Sequence, residues 1–311
     1  ERISSQKKDR EVAPWIMAEA VATDGRQSLE GLGILSIEME KPDSWSIPKP
    51  LLDLGLSENE GWDMLQEMVK TVRSQGVLSM PEEVHPDDEI FAPRLGPIFI
   101  RENGSDRKDK ILSWIPTKGK NKRLDYLTRI LKTIGKFESD EKTLEILRGI
   151  WKFLKDVDSD YGWFVSNSNP SRGVVYQLNH EQLRFSLIPE GSNDLYVCSL
   201  CRKISTRAVR GVCSTIGCEG SLRPFSRPIL SEEFDHYRML YLSSSPVSMS
   251  ASEHTAQWRN TEAANIQNQF IKGKINVLSC STTFELGVDV GELQSVLLRN
   301  MPPSTANYIQ R

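Results

Sequence analysis

The sequence contains no apolar run of about 18 residues, so it offers no candidate for a membrane-crossing helix. Its first residues, Glu-Arg-Ile-Ser-Ser-Gln-Lys-Lys, lack both an initiator Met and the charged-then-apolar pattern of a secretory leader. That start and the abrupt end at Arg311 read as a fragment, or as the ordered part of a larger protein. A strong charge imbalance is missing too: the net charge is −3, which by itself points to no class of partner. Cysteine is scarce, and its placement argues against a secreted disulfide framework. Four of the five cysteines fall between Cys198 and Cys218 and the fifth, Cys280, stands apart. A reducing, cytoplasmic setting is the expectation. No internal repeat or low-complexity tract occurs.

What is present is an ordinary globular composition, 38% hydrophobic and 26% charged, over 311 residues, enough for two or three domains. Residues 1–50, with Pro42, Pro48 and Pro50, suggest an N-terminal arm and linker. Residues 51–170 suggest a mainly helical region. Ser57 and Glu60 fit a capping box, with Leu65, Met68, Val69 and Val72 at helical spacing behind it and Gly76 as a stop. A small helical core and a winged-helix-like unit both fit this stretch. Pro81–Ile90 is an acidic loop. Its Asp87, Asp88 and Glu89 are metal-capable in principle but have the pattern of a solvated turn.

From 101 to 155 the charge turns basic, with 15 Lys and Arg against 8 Asp and Glu. Two amphipathic helices are expected here. Leu124, Leu127, Ile130, Leu131 and Ile134 share one face of the first; Leu144, Leu147, Trp151 and Leu154 share one face of the second. Before the first helix, Lys118, Lys120, Lys122 and Arg123 form a basic loop that suits solvent or phosphate equally. Residues 172–188 look extended, with Leu183, Phe185 and Leu187 alternating as on a half-buried strand.

The region 171–230 holds Cys198-x2-Cys201 and, eleven residues on, Cys213-x4-Cys218. Two short chelating pairs at this spacing suit a closed tetrahedral zinc site with no position left for substrate. Free buried thiols or a redox Cys-x-x-Cys would explain one pair alone, and an iron–sulfur cluster uses the same donors. Arg202, Lys203, Arg207, Arg210, Arg223 and Arg227 make the cysteine loop basic, so it could contact nucleic acid. Bracing an under-cored domain is the plainer role.

Residues 231–311 have the order helix, strand, loop, strand, which implies a parallel sheet with functional loops at the strands' carboxyl ends. The helix lies in Glu253–Gly273, a strand in Ile275–Cys280 and another in Leu293–Pro302. At this point the residues carry a resemblance. "VLSCSTTFELGVDV" resembles motif V of superfamily 2 helicases, and "NYIQR" resembles the start of motif VI. "EHTAQ" followed by "NQFIKGKINVL" is similar to the lead-in of large bacterial DExH-type helicases. The cysteine region looks like an insertion between their two RecA-like motor domains. Helicases of phage-defence systems of the Druantia kind are among the nearest in style. The specific motifs cover about residues 250–311, and a weaker likeness extends back to about 174.

The resemblance implies an α/β chain: a partial RecA-like parallel sheet domain, a helical insertion and a small zinc-ribbon-like module. It implies that Ser281, Thr282, Thr283 and Glu285 face a nucleic-acid strand. Gly287, Asp289 and Gln310 would face ATP and its Mg2+, with Arg311 in the same interdomain network. The expected partners are single-stranded or duplex DNA and other subunits of a defence complex, with no membrane. No Gly-x-x-x-x-Gly-Lys-Ser/Thr loop occurs, Asp88-Glu89 follows no buried strand, and the later arginines of motif VI are not in the sequence. The chain alone is therefore expected not to hydrolyse ATP. A zinc-stabilised interaction or nucleic-acid-binding module without motor activity is the rival reading.

Overall fold

A computed structural model describes residues 5–21, 28–156, 162–169, 173–189, 191–226, 236–245, 248–254, 260–280, 293 and 295–297. The chain divides into two compact units, residues 1–242 and 243–311, each described by itself.

The first unit runs α1 (Ser5–Ala20), β1 (Leu35–Met39), α2 (Lys49–Leu52), α3 (Glu58–Arg73), β2 (Phe99–Arg101), β3 (Ile111–Ser113), α4 (Lys122–Thr133), α5 (Asp140–Asp156), β4 (Phe164–Asn169), β5 (Gly173–Leu178), β6 (Leu183–Leu187), β7 (Leu195–Cys198), β8 (Ile204–Ser205), β9 (Leu222–Phe225) and α6 (His236–Ser243). α3 starts where its local chemistry dictates. Ser57 Oγ accepts from the Glu60 amide at 3.3 Å and Glu60 Oε2 accepts from the Ser57 amide at 2.9 Å, a complete capping box. Its apolar stripe is sealed in the core: Leu65, Met68 and Val72 are fully buried. Burying each such side chain contributes about 1.5–3 kcal/mol. Asn121 caps α4 through the Leu124 amide at 3.0 Å. The expected faces of α4 and α5 are buried, with Ile134 and Leu144 only partly so.

Tryptophan supplies much of the core. Trp62 meets Trp45 and Trp163 edge to face, with ring centroids 4.9 and 5.4 Å away. Trp151 packs on Trp114, Phe164 and Tyr176 at 5.3–5.6 Å.

Three sheets build on these helices. One has the order β3-β2-β5-β4, with β2 and β3 parallel and the remaining pairs antiparallel. A second pairs β1 with β6, Leu35 opposite Leu187 and Met39 opposite Leu183. The third is the antiparallel β8-β7-β9. β1 thus lies inside the stretch whose composition suggests an arm and linker. Ile37 and Met39 are at most 2% exposed, because the strand is sandwiched against α3. Gln66 on α3 fixes it there, bonding the Met39 amide at 2.9 Å and carbonyl at 3.2 Å. The half-buried alternation expected for β6 holds only at Leu183. Phe185 is 40% and Leu187 80% exposed, since among the described residues β6 pairs with β1 alone.

In the second unit, β10 (Ala251–His254), α7 (Asn260–Ile271) and β11 (Val277–Cys280) form a β-α-β unit with parallel strands, Ala251 opposite Val277 and His254 opposite Cys280. The α/β class with a parallel pair fed by a helix is the one the sequence implies. β10 falls where only a helical lead-in is expected, since a four-residue strand carries too short a pattern to separate from its flank.

Candidate metal centre

The four clustered cysteines are brought together by a hairpin and a returning strand. Cys198 ends β7, and the chain turns through Leu200 and Cys201 before entering β8. Arg202 takes φ +61° at the corner, while its amide bonds the Cys198 carbonyl at 3.1 Å. In the second knuckle, Gly217 takes φ +68° and the Cys218 amide bonds the Thr215 carbonyl at 3.1 Å. Just after the second knuckle, where the chain passes against the first, Gly220 has no alternative: a Cβ there would sit 2.6 Å from Cys198 Sγ and 2.6 Å from Leu200 Cβ.

The result is a compact sulfur cluster. Cys198 Sγ lies 3.6 Å from Cys218 Sγ, Cys201 Sγ lies 3.6 Å from Cys213 Sγ, and all four fall within 4.8 Å of one another. Bonded disulfide sulfurs stand about 2 Å apart, so these are thiols rather than half-cystines. Zn–S bonds of about 2.3 Å at tetrahedral angles put sulfurs about 3.8 Å apart, so the donor set fits zinc with little adjustment. Among the described residues it is the one group of three or more potential ligands that converges in this way. Asp87, Asp88 and Glu89 are not such a group; Asp88 instead caps a single turn through the Ile90 amide at 3.1 Å.

The electrostatics of the cluster favour anionic sulfur on one side. Burial alone would push the Cys201 thiol up. The Lys203 amide, the Thr215 hydroxyl and the neighbouring thiols outweigh burial and hold it at about 6. Burial dominates at Cys213, which is pushed up to about 12, and raises Cys218 as well. Bringing four such thiols together is unfavourable for further ionisation until a cation shares their charge.

Sequence spacing does not reveal what holds the second knuckle. Arg129 of α4 donates to three of its carbonyls: Nη1 to Cys213 O at 2.5 Å and Cys218 O at 2.7 Å, and Nη2 to Thr215 O at 2.9 Å. Asp125, one turn earlier, takes the other side of that guanidinium at 2.7 and 3.0 Å. The same carboxylate also accepts from the Gly217 amide at 3.1 Å. The 125/129 spacing is visible as an ordinary i, i+4 helix pair. Nothing in the sequence points it at residues more than 80 positions away.

A second bond group joins the module to β1 and α3. Arg207, whose side chain is 5% exposed, approaches Glu38 at 3.0 Å, Asp63 at 3.8 Å and Glu67 at 3.9 Å. Lys203 Nζ donates to Ser214 Oγ at 2.9 Å, bridging the two knuckles. Burial works against the Glu67 carboxylate, but Lys70, Lys203 and Arg207 outweigh it and hold it below the usual range. Arg210 pairs with Glu60 at 2.7 Å. Arg207 is therefore committed to β1 and α3, Arg210 to α3 and Lys203 to the knuckles themselves, while Arg227 lies outside the described residues. Arg123, expected in a phosphate-ready loop, is 2% exposed; it is bonded to the Ser113 and Trp114 carbonyls and to Thr71 Oγ1. Its guanidinium closes the α3–α4 junction.

The other predicted site residues are Ser281, Thr282, Thr283, Glu285, Gly287, Asp289, Gln310 and Arg311. They lie outside the described residues, immediately after β11 and at the chain's end.

Residues 229–311 match the helicase conserved C-terminal domain. The chain is also similar to the Druantia protein DruE of Escherichia coli (strain UMEA 4076-1), 39% identical over 87 residues. That stretch is 24% of this chain and 5% of the relative, so the chain spans a small part of the curated protein it matches. Both findings agree in kind with the helicase resemblance of the C-terminal motifs. No solved structure matches. Among the described residues no helix is long and apolar enough to cross a membrane.

Proposed function

We propose that this chain is part of an ATP-dependent nucleic-acid helicase or translocase acting in bacterial phage defence or DNA repair. The observation that carries the reading is the helicase-domain match over residues 229–311, which includes both motif-like stretches. The β-α-β unit supports it, because β11 ends at Cys280 and the motif V-like loop begins at Ser281. A loop at a strand's carboxyl end in a parallel sheet is where such chemistry gathers. In this reading residues 231–311 are part of the second motor domain. Ser281, Thr282, Thr283 and Glu285 hold the nucleic-acid backbone. Gly287, Asp289 and Gln310 face ATP and Mg2+, and Arg311 joins the contacts between motors. Closure of the motors on nucleotide would shift the strand-holding loop, and release after hydrolysis would advance it. Cys198, Cys201, Cys213 and Cys218 hold a structural zinc ion, which supplies cross-linking of the two knuckles and no chemistry. The setting is cytoplasmic, and other defence-complex subunits are the expected protein partners.

The test is ATP hydrolysis by the full-length parent, with and without single-stranded DNA, for wild type, Asp289→Ala and Arg311→Ala. Hydrolysis stimulated by DNA and reduced at least about tenfold in both variants is expected, since charge-stabilising groups at phosphoryl transfer contribute that much or more. Hydrolysis indifferent to both changes would sink the motor assignment. The second reading, a zinc-stabilised interaction module, draws on the way Arg129 and Arg207 key the cysteine loop to two helices. It is favoured if the parent hydrolyses no ATP.

A further inference from the structure

A strongly basic surface is assembled in the first unit from segments that the sequence keeps apart. Between Arg94 and Arg123 stand nine Lys and Arg against three Asp and Glu, in a chain of net charge −3. The fold withdraws two of these cations. Arg123 is buried, and Arg101 is turned onto the Gly104 carbonyl at 2.7 Å. Others are gathered. Arg94 is anchored on the Ser74 carbonyl at the end of α3, and Lys110 on the carbonyl of Leu95, the residue after Arg94. Lys122 opens α4 with an exposed side chain, and Lys203 arrives from the first cysteine knuckle. Arg123, the residue after Lys122, bonds Thr71 Oγ1, three residues before the Ser74 carbonyl that holds Arg94, so the start of α4 and Arg94 meet at the end of α3. Burial and then the nearby positive charges push the Lys122 ammonium down. Lys118 and Lys120 continue the surface as exposed loop residues. The ion pair of Lys120 with Asp140 is long, 3.6 Å, with both side chains about half exposed. Such a pair holds a lysine weakly.

Like charges held together raise the folded state's energy, and an anion that shares their field lowers it. We propose that Arg94, Lys110, Lys118, Lys120 and Lys122 form a basic surface that contacts successive phosphates of a nucleic-acid strand. Cations drawn from three chain segments, several of them exposed, suit a polyanion better than a single small phosphate. The inference rests on the nucleic-acid reading above and names the surface involved.

The experiment is fluorescence anisotropy of labelled 30-nucleotide single-stranded and duplex DNA with this chain, from 50 to 300 mM salt. Lys118→Ala/Lys120→Ala/Lys122→Ala changes exposed side chains only. It is expected to weaken binding at least about tenfold at the lowest salt and to reduce the slope of log K against log salt by about two. Arg148→Glu/Lys152→Glu on α5 should leave both unchanged. The proposal is overturned if wild type binds neither DNA, or if the triple variant keeps wild-type affinity and slope. It is equally overturned if inorganic triphosphate displaces the DNA at concentrations comparable to the DNA itself, which would mark a small-anion site. The motor reading fails differently, as a parent protein without ATP hydrolysis, so the two failures are distinguishable.

Discussion

In residues 1–242 the decisive contacts join positions far apart in the chain: Arg129 with Cys213, Thr215 and Cys218, and Arg207 with Glu38, Asp63 and Glu67. In residues 243–311 the recognisable features are neighbours along the chain, a motif-like loop after β11 and a terminal Gln-Arg. The helicase match lies almost entirely in the second region, while the packed core and the metal centre lie in the first. The difference concerns how each kind of information is stored. A nucleotide-handling loop keeps its residue order because its chemistry needs those groups within one turn. A braced module needs only that distant groups meet, and many sequences achieve that.

If the first unit owes its order to long-range closure, breaking the closure should cost more than any local change. The largest effect is expected from Cys213→Ser, which removes a ligand at the centre of the cluster. Stoichiometric zinc should be lost and stability should fall by more than about 4 kcal/mol, as for other losses of a structural metal. Metal analysis alongside urea unfolding measures both. Unchanged unfolding in the zinc-free variant would mean the knuckles are an appendage to the core.

Arg129→Ala comes next. It strips three carbonyls of a donor and leaves Asp125 without its cation, at a cost of about 3 kcal/mol. Chelator competition should show zinc affinity reduced about 10–100-fold, as for other outer contacts of metal ligands. Arg129→Lys restores the charge but not the three-carbonyl fork, so it should recover only part. Wild-type zinc affinity in Arg129→Ala would show that the knuckle shapes itself.

The smallest effect sharpens the contrast, because it lies away from the metal. Glu30 pairs with Lys70 at 2.8 Å and Arg73 at 2.7 Å. Burial opposes its ionisation, but Arg73 and Lys70 outweigh it and hold the carboxyl at about 2, below the usual 4.5. A depressed carboxyl contributes stability above its unfolded value, and that contribution is lost as pH falls through the folded one. Glu30→Gln should therefore cost about 2–3 kcal/mol at pH 7. The gap between variant and wild type should narrow as pH falls from about 4.5 to about 2, with zinc content unaffected. A gap independent of pH would exclude ionic pairing as its source.

Much of the first unit was nonetheless legible from the chain alone. Ser57 and Glu60 announce the start of α3, and the apolar faces of α4 and α5 are countable, because capping and helical spacing act over three or four residues. The cysteine spacing pointed to a tetrahedral site on similar grounds. Other readings failed for lack of context. Arg123 looked free for phosphate but is buried, and Phe185 and Leu187 looked half-buried but are exposed. Exposure is set by what packs from elsewhere, which alternation cannot report. β1 was hidden in a proline-punctuated stretch because its partner, β6, lies about 150 residues away.

The sequence by itself determined the helix starts and faces, the four-cysteine donor set, and the helicase-like order of the C-terminal residues. Each depends on groups separated by a few positions, whose geometry the backbone imposes locally. Only the tertiary structure decided that four sulfurs converge within 4.8 Å, that Arg129 clasps the second knuckle's carbonyls from α4, and that Arg94 and the start of α4 meet at the end of α3. Those outcomes depend on which buried faces meet when the chain closes. That choice is made jointly by the whole core, because desolvating a charge or a carbonyl is tolerable only where a partner from another segment is already in place.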